Sequence, residues 1–312
     1  MESESASSKK TIYVATGANI AIAIIKFIAA TVTGSSAMLS EGIHSLVDTG
    51  NEMLLILGLR TSQKPPDAEH PFGYGQELYF WTLIVAIGIF AIGGGLSIYE
   101  GIDHLQNPVP LENPKWNYIV LGCAALVEGF SLSVAFRQFR SVDNNNNLME
   151  GIRESKDPTV ITVLLEDSAA LLGLFVAFCG IFLGHLLNNL YLDGVASIII
   201  GLILAGVAFI LGYETKGLLV GEGASPKTVA NIRVLAAGDP AVEGVLRILT
   251  LHFGPEEVLL NLELQFEKNL SASEVASAVE QIEAKIRNQH PEIKQIFVEA
   301  KSLGASRSES LK

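Results

Sequence analysis

The first two thirds of the chain is a series of apolar runs of about twenty residues, each long enough to cross a bilayer as a helix, separated by polar connections. Leu190–Leu211 is typical, with Asp193 as its one charged side chain. Inside hydrocarbon every backbone N–H and C=O must be satisfied within the segment, so such runs fold as helices. Composition agrees. Mean hydropathy is +0.39, with 49% hydrophobic and 17% charged residues, which suits an integral membrane protein and not an ordinary soluble domain. A net charge of −12, with the basic residues scattered, excludes nucleic acid as a partner. The two cysteines, Cys123 and Cys179, lie in apolar runs and read as small buried hydrophobes, with no disulfide framework or thiolate zinc site.

Six spans are expected. Residues 1–11 form a polar tail, not a cleaved signal peptide, and the first span, Ile12–Val32, is interrupted only by Lys26, which snorkels or pairs with an acid. A Gly34-Ser35-Ser36 turn leads to the second, ending at Leu59, as a tight antiparallel pair. The third, Glu77–Tyr99, contains Gly93-Gly94-Gly95, a run that weakens or bends a helix. The fourth, Trp116–Phe136, contains Glu128. The fifth, Pro158–Leu183, contains Glu166 and Asp167 followed by Ser168-Ala169-Ala170, small enough for close helix contact. Leu190–Leu211 is the sixth. The Arg137–Asp157 connection holds four asparagines in a row and no histidine. The three loops on the opposite side contain only Lys115, so the positive-inside rule puts both termini in the cytoplasm. The expected domain plan is therefore a disordered tail over 1–11, a transmembrane domain over 12–212, a cytoplasmic α+β domain over 213–303 and a disordered tail over 304–312. In that second domain, Ser225–Ala237 and Ser271–Asn288 have helical spacing, while Val245–His252, Val258–Phe266 and Ile293–Ala300 read as strands. This α-β-β-α-β order suggests helices on one face of an open, ferredoxin-like sheet, with Ser271 and Glu274 as a capping box and the domain as a dimerisation module.

Ser40 to Asn51 carries ionisable groups into the second span. On a helix, His44 and Asp48 stack one turn apart and Asn51 continues their face. An imidazole and a carboxylate at this spacing bind a divalent transition metal, or else form a hydrogen bond that ties helices together. Ionisable groups in hydrocarbon cost several kcal/mol and are usually retained for transport or catalysis, which favours the metal. An enzyme of another class, an intramembrane hydrolase using Asp48 and Asp167 as an acid–base pair or a metal-activated water, is disfavoured because the chain has no His-Glu-x-x-His motif and no evident serine nucleophile turn.

Four local matches, His44-Ser-Leu-Val-Asp48, His70-Pro-Phe-Gly-Tyr-Gly75, Leu164-Leu-Glu-Asp167 and Lys216-Gly-Leu-Leu-Val-Gly-Glu222, in this order, resemble the cation diffusion facilitator family of six-helix zinc transporters. The Glu-Asp pair and the Lys216–Glu222 junction look most like its ZnT9-type branch. The resemblance implies an antiporter that exports zinc, or else manganese, iron or cobalt, from the cytoplasm against protons, works as a homodimer and sits in a bacterial inner membrane. It implies metal ligands His44 and Asp48 on the second helix and Asp167 on the fifth. Val163 stands where the family has a fourth ligand, and Glu166, Asn51, Thr49 or water are the substitutes. Glu166 has two alternative roles, pairing with Lys26 or lining a proton path; Glu128 and Lys26 are candidates for that path or for helix pairing. A secondary metal site in the loop would use Asp67 and His70, although Tyr74 stands where many relatives have histidine. In the cytoplasmic domain, Asn261 and Glu299 occupy the strand positions where relatives place zinc-binding histidines. His252 and His290 stand alone in the sequence, so little or no metal is expected there.

Overall fold

A computed structural model describes residues 19–110, 113–142 and 157–301. The N-terminal tail, the start of the first expected span, the asparagine tract with Arg153 and Lys156, and the C-terminal tail lie outside the described residues. Among those described, six helices come first: α1 (Asn19–Thr33), α2 (Ser36–Ser62), α3 (Gln76–Gln106), α4 (Lys115–Val142), α5 (Pro158–Leu187) and α6 (Tyr191–Val220). By length and composition, α3 to α6 are fit to cross a membrane. The described part of α1 is shorter, and α2 is too polar.

That polarity points inward. Ser40, Glu41, His44, Ser45, Thr49 and Asn51 of α2 are buried, whereas Leu46, Met53 and Leu57 are exposed. The helix is thus amphipathic in reverse, presenting its apolar side outward and its polar side to its neighbours, as suits a lipid surround. Its start is fixed from α6, where the buried Asp193 carboxylate accepts the Ser36 and Ala37 N–H groups at 2.5 and 3.3 Å and the Ser35 hydroxyl at 2.7 Å. A carboxylate at a helix N-terminus satisfies free N–H groups and complements the dipole. Gly34, with φ +69°, makes the turn from α1.

The glycine run in α3 does not end the helix. It forms a π-turn over Ile89–Gly94, in which the Gly95 N–H reaches the Phe90 carbonyl, and the helix continues to Gln106. A Cβ on Gly101 would lie 2.6 Å from Ile198 and one on Gly201 2.6 Å from Ile98, so α3 and α6 pack backbone to backbone through these small residues. Asp157 caps α5 by accepting the Thr159 N–H at 2.9 Å, with Pro158 at the first helical position.

Residues 61–77 group with those from 217 onward as a second compact unit. It contains α7 (Pro226–Ala237), β1 (Val242–Gly254), β2 (Glu257–Phe266), α8 (Ala272–Gln289) and β3 (Ile293–Lys301). The sheet order is β1-β2-β3, with β1 antiparallel and β3 parallel to β2. Alternate residues of β2 (Val258, Leu260, Leu262, Leu264 and Phe266) are buried with Ile232 of α7 and Ile282 and Ile286 of α8. The capping box is present: Ser271 accepts the Glu274 N–H, and the Glu274 carboxylate accepts the Ser271 N–H at 2.7 Å. The α2–α3 loop belongs to this unit. Phe72 stacks on Phe253 at 5.0 Å, and Gly75 passes so close that a Cβ there would sit 2.3 Å from the Phe253 carbonyl.

Candidate metal centre

Residues three or four apart on a helix share a face, and four helices each turn one such set toward the same place. They are Asn19 and Ile22 of α1; Ser45, Asp48 and Glu52 of α2; Val127, Glu128 and Ser131 of α4; and Val163, Glu166 and Asp167 of α5. Together they line a cavity of about 70 Å³, with room for a cation and a few waters. Among the described residues five of the lining side chains are carboxylates, and none is basic.

Polar neighbours hold several of these groups. The Asn51 amide donates to Glu166 Oε1 at 2.6 Å, and the Ser131 hydroxyl donates to Asp167 Oδ2 at 2.7 Å. Asn19 donates to Glu52 Oε1 at 2.8 Å. His44 Nδ1 lies 3.3 Å from Asp48 Oδ1; the imidazole is buried, and its Nε2 has no hydrogen-bond partner among the described residues. His44 and Asn51 therefore stand behind the cavity-lining side chains Asp48 and Glu166, and Val163 opens onto the cavity beside Asp167. Among the described residues no three His, Cys, Asp or Glu side chains are drawn together tightly enough to hold a metal ion. Lys26 does not reach Glu166. It is fully buried between Glu41, at 3.1 Å, and Ser45, at 2.8 Å.

Sequence reasoning passes over Glu52, Ser45, Asn19 and Ser131. Glu52 carries a signal of its own, since it stands one turn beyond Asp48 on the same face. Ser45 and Ser131 are uncharged, and nothing in the sequence sets them apart.

In the α2–α3 loop, Asp67 accepts the Glu69 and His70 N–H groups at 2.9 and 2.7 Å and the Tyr74 hydroxyl at 2.6 Å. The Tyr74 hydroxyl, followed by those N–H groups, holds the Asp67 carboxyl below its ordinary range, while the same bond pushes the Tyr74 phenol up to about 12. His70 lies alongside, with its Nδ1 3.6 Å from Asp67 and its ring 4.1 Å from that of Tyr74. In the α+β unit neither histidine is isolated. His252 Nδ1 lies 3.2 Å from the Gly254 carbonyl, and His290 bridges Glu292 at 3.1 Å and Asn231 at 3.0 Å.

Residues 12–220 match the family described as Cation efflux transmembrane domain. The human protein named "Proton-coupled zinc antiporter SLC30A9, mitochondrial" is 34% identical over 260 residues, covering 83% of this chain and 46% of its own length. Its Xenopus laevis counterpart is 36% identical over 244 residues, 78% of this chain and 44% of its own. The chain thus spans about half the length of these relatives. The Bacillus subtilis "Manganese efflux system protein MneP" is 20% identical over 297 residues, 93% of this chain and 95% of its own. Among solved structures, a MamM C-terminal domain in its cadmium form covers 25% of this chain and 95% of its own, at 16% identity and a TM-score of 0.24.

Proposed function

We propose that this chain, which belongs to the cation efflux family, exports zinc or a related divalent transition metal from the cytoplasm in exchange for protons. The observation that carries this reading is the convergence of five carboxylates on one small cavity within a bundle of apolar helices. Charged groups are retained at such a cost where an ion passes. Asp48, Asp167 and Glu166 would bind the cation, with His44 and Asn51 as ligands or as the groups that orient Asp48 and Glu166. Bound metal needs ionised carboxylates and a neutral imidazole, so protons arriving from the far side compete for the same atoms and release it. In this reading all six helices span the membrane, both termini face the cytoplasm, and α2 and α5 rock against the others to expose the cavity to each side in turn. The terminal unit is read as a ferredoxin-like domain that joins two copies of the chain.

Manganese is the second reading, because the lining donors are oxygens and Val163 adds no nitrogen; oxygen donors favour the harder ions. Purified protein in sealed proteoliposomes tests both. With an inward proton gradient the wild type should move zinc or manganese across the bilayer. Asp48→Ala and Asp167→Ala should stop that flux without loss of folded protein, and Glu166→Gln should weaken metal binding at every pH. No metal movement by well-folded wild type, or full flux in the aspartate variants, sinks the proposal.

A further inference from the structure

Lys26 has no part in the scheme above, yet it is placed with unusual care. Its ammonium is fully buried in the described bundle, where an uncompensated charge is costly, and it is fixed by Glu41 on one side and by the Ser45 hydroxyl on the other. Glu41 is equally buried; its Oε2 takes the ammonium, while its Oε1 has no hydrogen-bond partner among the described residues and is pressed against Gly173 of α5, where a Cβ would lie 2.5 Å away. Ser45 is the link, because the residue whose hydroxyl accepts from Lys26 is also one of those, with Asp48, that line the metal cavity. Among the described residues the arrangement is thus five carboxylates around a cavity with no base on its wall and, linked to that wall through Ser45, a fixed ammonium.

We propose that Lys26 is the resident countercharge of the metal cavity, a positioning residue held by Glu41 and Ser45 that limits how tightly a divalent cation binds and so lets it leave. This rests on the reading of the cavity as a metal site. Five carboxylates alone would hold a dication too firmly for rapid release, and a fixed cation behind them offsets part of that attraction whether the site is full or empty. Glu41 in turn tempers Lys26, which makes the pair an adjustable charge, unlike a plain clamp between α1 and α2.

The two halves of the pair therefore have opposite effects on affinity. In full-length protein in detergent, with zinc and manganese as probes, Lys26→Gln should tighten binding and slow release, lowering both KM and the maximal flux in proteoliposomes. Glu41→Gln frees the ammonium from its partner and should weaken binding. Each shift should be about ten-fold or more, because one charge acting on a dication less than about 20 Å away through an effective dielectric near 20 is worth at least that much. Lys26→Arg should resemble the wild type, and the double change Lys26→Gln with Glu41→Gln, which leaves no unpaired charge, should return affinity toward it even where a single variant is poorly folded. If Lys26→Gln and Glu41→Gln both weaken binding, or the double change is as impaired as the worse single one, the pair is a structural clamp and the proposal fails. If wild type binds neither metal, the failure belongs to the metal-site reading.

Discussion

On the proposed reading, Val163 is the residue on which the identity of the transported metal turns. It faces the cavity one helical turn before Asp167, where the resemblance to zinc transporters calls for a ligand. Val163→His would place an imidazole on that wall with no backbone change, and a nitrogen donor favours zinc over manganese. The expected outcome is a shift of relative affinity toward zinc of about ten-fold or more, read by competition between the two metals on purified protein. An unchanged ratio would mean that the cation does not sit beside Val163. In the loop, Tyr74 offers a pH test. Its phenol is raised to about 12 by donating to Asp67, so the stabilisation from that bond is complete below the ordinary tyrosine value near 10 and is lost as pH climbs toward 12. Asp67 is depressed, so its contribution is present above the ordinary carboxyl value and is lost as pH falls through the lowered one. Tyrosine-selective NMR should find Tyr74 titrating late, and Asp67→Asn should bring it back toward 10; an ordinary titration in the wild type would break the proposed pairing.

At the scale of elements, the contact between α3 and α6 depends on side chains that are missing. A Cβ on Gly101 would meet Ile198 at 2.6 Å and the Gly194 carbonyl at 2.7 Å, and backbone cannot yield as a flexible side chain does. Gly101→Val should therefore destabilise the bundle by about 1–3 kcal/mol, seen as a lower Tm in detergent. Gly122 of α4 meets nothing within 4 Å, and Gly122→Ala should leave the Tm level or raise it. Equal effects of the two changes would refute this account of the packing. The same elements mark what the sequence can and cannot tell. The strands and the capping box of α8 are legible because period-two alternation and a Ser-x-x-Glu signature are local. Asp48, Glu166, Asp167 and Glu128 stand out because carboxylates in apolar helices are costly, and all four line the cavity. Partner choice is not local. Lys26 has several acids within helical reach, and only the packing of α1 on α2 selects Glu41 over Glu166, which Asn51 occupies. The glycine run of α3 announces a weak point, but whether it becomes a bend or a π-turn depends on the close approach of Gly94 to the Gly201 carbonyl of α6, 3.1 Å from a Cβ built there.

For the whole molecule, the face of the sheet turned away from α7 and α8 is the surface proposed to join two copies of the chain. Alternation along β2 buries one face beneath α7 and α8, and the register places Leu249 of β1, Asn261 of β2 and Phe297 of β3 in one row on the other. Leu249 and Phe297 are 43% and 51% exposed, flanked on the next row by Arg247, Glu263 and Glu299. Apolar side chains on either side of Asn261, edged by charges of both signs, would suit a second copy of the chain, since a two-fold axis would set each Arg247 against the acids of the other chain while the apolar groups meet. Phe297→Asp would put a carboxylate at the centre of that contact, where burial without a partner is costly. Wild-type protein in mild detergent at micromolar concentration should scatter light as a dimer, and Phe297→Asp as a monomer with an unaltered metal cavity. A wild-type monomer, or a variant that stays dimeric, would move the contact off this face. Because the cavity lies wholly among α1, α2, α4 and α5 of one chain, the monomeric variant should still bind metal with wild-type affinity, and a loss of binding on separation would show that the second copy supports the site.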